Sequence, residues 1–158
     1  MSHQPKQTYL HRFLAYPLTC SSLSYDVSTP PSALRSRFDD LSESAFWPFP
    51  ARIEVVCDGL PWTVEIISPQ DTPLTCFAVL GAIHSALTRT VGEFEWSMMS
   101  PAMQYTAWDA FSQRVQRSPC GSDLGGVQRL DFLSRKTRFR GLSPFGDRSD
   151  KWVMHLSP

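Results

Sequence analysis

The chain contains no asparagine, so it holds no N-glycosylation sequon. Its formal net charge is zero, which argues against nucleic acid or an anionic membrane as the main partner. No apolar run approaches the ~18–20 residues of a membrane span. The first twenty residues also lack the continuous apolar stretch of a secretory leader. Cysteine is sparse: Cys20, Cys57, Cys76 and Cys120 lie far apart with no C-x-x-C pair, and His3, His11, His84 and His155 include no pair at helical-turn spacing. Zinc-finger and metalloprotease spacings are therefore missing, and neither a metal nor another cofactor is expected. Phosphate-loop, nucleophile and internal-repeat signatures are missing as well. Together these absences predict a soluble intracellular protein, cytoplasmic or nuclear, with reduced thiols.

What is present is the material of a packed core. Of 158 residues, 42% are apolar, with 10 Phe and 5 Trp. A chain of this length buries roughly 68–70% of its unfolded surface in one core. Charge is uneven along it: residues 1–110 carry 6 Lys and Arg against 11 Asp and Glu, and residues 111–158 carry 9 against 4. Two complementary portions are expected to pair within one fold or between subunits, as a monomer or homodimer.

Residues 51–68, ARIEVVCDGLPWTVEIIS, read as a β-hairpin around a tight Asp58-Gly59 turn. Ile53, Val55 and Cys57 share one strand face, and Trp62, Val64 and Ile66 share the matching one. Val56 and Ile67 on the opposite faces predict partial cover on both sides. Residues 23–27 read as a short edge strand ended by Pro30-Pro31, and residues 32–50 as an irregular loop whose aromatics pack beside the hairpin, with Trp47 partly exposed. A helix is predicted over 72–90, opened by Thr72-Pro73, with Cys76, Leu80, Ile83 and Leu87 on its buried face. A second runs over 101–117 after Ser100, with Gln104, Trp108, Phe111 and Val115 sharing a face and Ala107 beside it, and a short helical piece over 94–98 before it. Strands follow at 127–132, 137–142 and 152–156. The architecture expected is α+β: an antiparallel or mixed sheet of about five to six strands with two main helices packed on one face. Residues 1–10 form a frayed arm and residues 11–158 a single α+β domain.

Chemistry is harder to find. Cys57 on a strand and His84 on the covering helix are the nearest approach to a thiol and base pair, but a cysteine on an apolar stripe is normally a small core residue. Asp58 belongs first to turn chemistry. Arg135, Lys136, Arg138 and Arg140 form a basic run in which Arg138 and Arg140 share a strand face opposite Phe139. That face suits a phosphate or an RNA backbone, yet the aromatics that single-strand readers need fall mostly on apolar stripes.

LSYDV followed by TPP, RIEVVCDGLPWTVEI, GVQRLDFLSRKTRFRGL and KWVMHL occur in an order that resembles an uncharacterised domain family of mushroom-forming basidiomycete fungi, a domain of unknown function. Tyr25 departs from the Trp expected before the Asp. The resemblance implies a compact intracellular α+β domain and brings no activity or catalytic residue. Its recurring positions include Asp26, Cys57, Asp58, Pro61, Trp62, Asp131, Arg138 and Trp152, with a buried Asp131–Arg138 pair as an expected staple between strands.

The function expected is a non-enzymatic protein-interaction or ligand-binding module, using a groove near Asp58, Trp62, Arg138 and Arg140 to take an unknown protein or small ligand. Two alternatives stand beside it. One is an enzyme of unrecognised type, a Cys/His or acid-base hydrolase working through Cys57, His84, Asp58 or Asp131. The other is nucleic-acid binding through the basic C-terminal strands.

Overall fold

A computed structural model describes residues 8–17, 23–34, 38–70, 72–118 and 125–158. The two remaining cysteines, Cys20 and Cys120, lie outside the described residues, as do His3 and most of the predicted N-terminal arm. Four strands form the main sheet: β3 (Arg52–Cys57), β4 (Val64–Ile67), β5 (Arg138–Phe145) and β6 (Arg148–Ser157), in the order β4-β3-β6-β5. β3 runs antiparallel to β4 and parallel to β6, and β5 pairs with β6 as an antiparallel hairpin. A two-stranded ribbon joins β1 (Tyr9–Leu10) to β2 (Phe46–Trp47). The helices are α1 (Phe38–Leu41), α2 (Cys76–Leu87), α3 (Glu93–Ser97) and α4 (Pro101–Arg117). Short 3-10 segments occupy Pro31–Ala33 and Arg129–Leu133. The fold is α+β with a mixed main sheet and two main helices, α2 and α4. No helix among the described residues is long and apolar enough to cross a membrane.

The alternation read in the hairpin is the one the core uses. Ile53, Val55, Val64 and Ile66 are buried, and the register Val64–Val55–Trp152 carries a continuous apolar row across three strands. Asp58 and Gly59 (φ +82°) form a turn closed by Leu60 N–H donating to the Cys57 carbonyl. The ladder resumes only at Val64, because Pro61 has no N–H to offer it. The outer sheet face is covered less than predicted: Val56 is half-buried but Ile67 is exposed.

α2 lies against the sheet with Cys76, Val79, Leu80, Ile83 and Leu87 buried. It starts later than Thr72-Pro73 predicts, at Cys76, with Thr75 Oγ1 accepting from Ala78 N–H at 3.0 Å. The preceding residues are held extended against the loop before β2. Ala45 N–H donates to the Leu74 carbonyl, and Cys76 N–H to the Glu43 carbonyl. α4 has the predicted bounds and its Ser100 cap. Its inner face differs from the prediction, since only Ala107 is buried and Trp108 faces solvent. α4 rests on the narrow 3-10 segment Arg129–Leu133, which needs only a thin strip of the helix.

That segment replaces the strand predicted over 127–132. Asp131 Oδ2 accepts the Gln128 N–H at 2.8 Å while Asp131 N–H donates to the Gln128 carbonyl, closing a tight turn. Leu130, Asp131, Phe132 and Leu133 are buried in succession, a run without the alternation of a half-covered strand. Residues 25–27 do act as an edge element: Phe139 N–H donates to the Tyr25 carbonyl and Val27 N–H to the Thr137 carbonyl. Tyr9 and Leu10, placed in the frayed arm by the sequence, pair with Trp47 and Phe46 instead.

Candidate functional site

The residues singled out in the sequence are distributed over three places. Asp58 is exposed and shares a cleft of about 340 Å³ with Cys57, Leu133, Lys136 and His155. Trp62 is half-buried on the 3-10 segment, its ring meeting Phe132 edge-on at 5.3 Å and lying 4.8 Å beneath the Arg129 guanidinium. Arg138 and Arg140 are exposed on β5, opposite the buried Phe139, as the period of two requires.

Cys57 and His84 do not work on each other. His84 Nδ1–H donates to the Val27 carbonyl at 2.9 Å, tying α2 to the edge segment. Cys57 faces the cleft that holds His155, and that imidazole is itself engaged, with Nε2 at 2.7 Å from Ser143 Oγ and its ring stacked on Tyr16. Burial, reinforced by the Asp58 carboxylate, pushes the Cys57 thiol up to about 11. Burial and Glu43 push Cys76 up to about 12. Nucleophilic cysteines are shifted the other way.

Asp131, 3% exposed, is the one buried charged residue among those described. Its partner is Arg114 of α4 and not Arg138. Arg114 Nε and Nη2 donate to the two carboxylate oxygens at 3.1 and 2.9 Å, and Nη2 also donates to the Gly126 carbonyl at 3.0 Å. Strand geometry explains the correction. Once residues 129–133 coil instead of extending, the Asp131 side chain points toward the helix above it, and Arg138 projects from the exposed side of β5. A bidentate guanidinium on a buried carboxylate is the geometry that makes such burial tolerable.

This pair lines a polar cleft of about 480 Å³ between α4, the 3-10 segment with residues 134–137 that lead into β5, and the edge segment at Asp26 and Ser28. Asp26, Asp109, Arg114, Arg117, Asp131 and Arg135 supply its charges, and Ser28, Ser118, Ser134 and Thr137 its hydroxyls. Most of its carboxylate oxygens are already in use, all but one of the two on Asp109. Asp26 accepts from Ser28 N–H, Ser28 Oγ and Thr137 Oγ1 at 2.9, 2.6 and 3.0 Å. Asp109 accepts from Gln113 at 2.9 Å. Arg117 and Arg135 bring guanidinium donors to the same cleft and make no hydrogen bond or ion pair among the described residues. The cleft thus has mostly occupied carboxylate oxygens and two guanidinium groups with donors available. No group of three or more His, Cys, Asp or Glu side chains among the described residues is clustered as a metal site.

Arg135 was part of the basic run read from the sequence. Arg114 and Arg117 were not singled out; their spacing on one helix is a weak signal, and the Asp131 contact that gives it meaning spans 17 residues.

With fold and cleft in view, the class is a small α+β domain with a mixed sheet and a polar cleft beside α4. The chain belongs to a family of unknown function, DUF6699, whose model matches residues 23–151. The matched span holds the main helices, most of the sheet and every residue of the cleft. The comparisons with curated proteins and with solved structures each returned no match.

Proposed function

We propose that the chain is a non-enzymatic binding module that takes an acceptor-rich anionic group in the cleft between α4 and β5. The observation that carries this reading is the imbalance inside the cleft: its carboxylates already accept hydrogen bonds, while Arg117 and Arg135 have donors to give. Guanidinium groups favour the planar, bidentate geometry of carboxylate or phosphate. Arg138 follows cleft-lining Thr137, and with Arg140 it extends the positive sign along β5, steering an anionic ligand or an acidic partner toward the opening. The raised thiols and the engaged His84 and His155 weigh against the hydrolase alternative. An intracellular setting and a fungal origin belong to the same reading, supported by the unpaired Cys57 and Cys76 and by the resemblance of the motifs.

The test is a titration with inorganic phosphate and with pyrophosphate, followed by calorimetry and by the shift of the arginine side-chain resonances. Wild type is expected to bind, and Arg117→Ala and Arg135→Ala to weaken binding by about tenfold each, the scale of one charge-assisted hydrogen bond. Arg138→Ala and Arg140→Ala should slow association and leave most of the affinity. Binding that survives the Arg117→Ala, Arg135→Ala double variant refutes the assignment.

A further inference from the structure

We propose that the outward side of α3 and α4 is a docking surface for a basic amphipathic segment of a partner protein. α4 buries only Ala107, and on its other side Tyr105 and Trp108 are 77% and 57% exposed. They are three positions apart and so neighbours on the helix surface. Phe94 on α3 and Met98 at its C-cap are more than two-thirds exposed. Gln104 fixes the corner between the two helices by donating from its side-chain amide to the Trp96 carbonyl at 2.8 Å. Tryptophan and tyrosine are the side chains that anchor interfaces, and methionine adapts to the shape of an apolar partner.

Charge selects the occupant. Residues 90–113 contain no Lys, Arg or His, whereas Glu93, Glu95 and Asp109 fall within them. Glu95 is held by Arg129 at 2.7 Å. Glu93 makes no ion pair among the described residues, and Asp109 is bonded by the neutral amide of Gln113, which leaves its charge in place. Exposed aromatics and a methionine on a stretch that carries only acidic charge repel acidic chains and anionic headgroups. It fits a helix with one apolar face, to lie on Tyr105 and Trp108, flanked by Lys or Arg that reach Glu93 and Asp109.

The experiment titrates the full chain with a Leu/Lys peptide of about 18 residues, five helical turns patterned with one apolar face, and with the same pattern carrying Glu for Lys. Calorimetry and tryptophan emission report binding, and thermal melting confirms that each variant is folded. The Leu/Lys peptide is expected to bind with a blue shift of emission and the Leu/Glu peptide not to bind. Tyr105→Ala with Trp108→Ala should weaken binding by at least about tenfold. Glu93→Gln with Asp109→Asn should weaken it several-fold and flatten its salt dependence. Phosphate binding in the α4–β5 cleft should be unchanged in the Tyr105, Trp108 variant; Asp109 also lines that cleft, so this variant, and not the Glu93, Asp109 one, separates the two assignments. Equal binding of both peptides, no binding of the Leu/Lys peptide, or full affinity in the Tyr105, Trp108 variant overturns the proposal. So does a dimer, seen by light scattering, that Trp108→Ala dissociates, because the face would then belong to a second copy.

Discussion

Glu95 shows how much one side chain can organise. Its Oε2 accepts the Gly92 N–H at 3.0 Å, closing the first turn of α3, and its Oε1 accepts from Arg129 at 2.7 Å. The Gly92 N–H, then the Arg129 guanidinium, hold the carboxyl below its ordinary value of 4.5. A carboxylate with a lowered pKa in the folded state stabilises the fold fully above its unfolded value, and that contribution is lost as pH falls through the folded one. Glu95→Gln should therefore cost on the order of 1 kcal/mol at pH 7, the scale of a cap and a partly exposed ion pair. The difference between wild type and variant should shrink as pH is lowered below 4.5, measured by urea denaturation at several pH values. A difference that stays constant with pH would mean that the amide replacement acts through shape and not charge. At this scale the sequence is informative where chemistry is local. Glu95 lies three residues after Gly92 and Ser100 three before Met103, and both caps form. Arg114 and Asp131 lie on different elements, and nothing local announces their pairing.

Among elements, those with a strong period were legible and those set by tertiary contact were not. The hairpin alternation at Ile53, Val55, Val64 and Ile66, the α2 stripe and the Ser100-Pro101 start of α4 survive, since each is specified by residues within one or two turns of one another, whereas Cys57 and Trp62 at the hairpin's end leave the core stripe. The 127–132 strand failed because Asp131 offers its own segment a capping bond, a local alternative to a ladder. The inner face of α4 held only at Ala107 and failed at Trp108, because periodicity marks which apolar residues align, not whether an element exists to cover them. The cover of the β5 edge was legible in part: residues 23–27 read as an edge strand, but which strand they would cover was not. Two short pieces of the N-terminal region cover it: residues 14–16 bond to Leu142 through its N–H and carbonyl, and residues 25–27 bond beside Arg138. An uncovered edge would be a template for aggregation. Gly141 permits the first contact. Its φ is +118°, and a Cβ there would sit 2.7 Å from the backbone of Tyr16. Gly141→Ala should cost on the order of 3 kcal/mol, combining an unfavourable backbone region with a backbone clash. The loss of the Tyr16–His155 stack should accompany it, visible in the histidine ring resonances. A fully stable variant with the stack preserved would show that the 14–16 segment shifts freely over β5.

Over the whole molecule, the helical layer formed by α3 and α4 is held by a few strong points rather than by a broad apolar face. The sheet and α2 share the continuous core that runs from Phe13 to Met154. α4 contributes only Ala107 to the buried set, and the residues joining it to the rest converge on one short segment, Arg129–Leu133. Arg129 reaches Glu95 of α3 and Asp131 reaches Arg114 of α4, while Leu130, Phe132 and Leu133 anchor the segment inward. Such a layer should open as a unit at a free energy below that of global unfolding. Hydrogen exchange is expected to show α3 and α4 amides opening together while β3, β6 and α2 stay protected. Asp131→Ala leaves the Arg114 guanidinium without its buried partner and removes the Gln128 cap, so it should cost about 3–5 kcal/mol at the segment. The stronger expectation concerns where that cost falls. Exchange should accelerate across α3, α4 and residues 125–134 far more than in the central strands, and phosphate affinity in the cleft should drop with it, because Arg117 is carried by the same helix. Uniform acceleration over all amides would instead make the Arg114–Asp131 pair part of a single cooperative core, and the helical layer would have no separate stability to regulate access to the cleft.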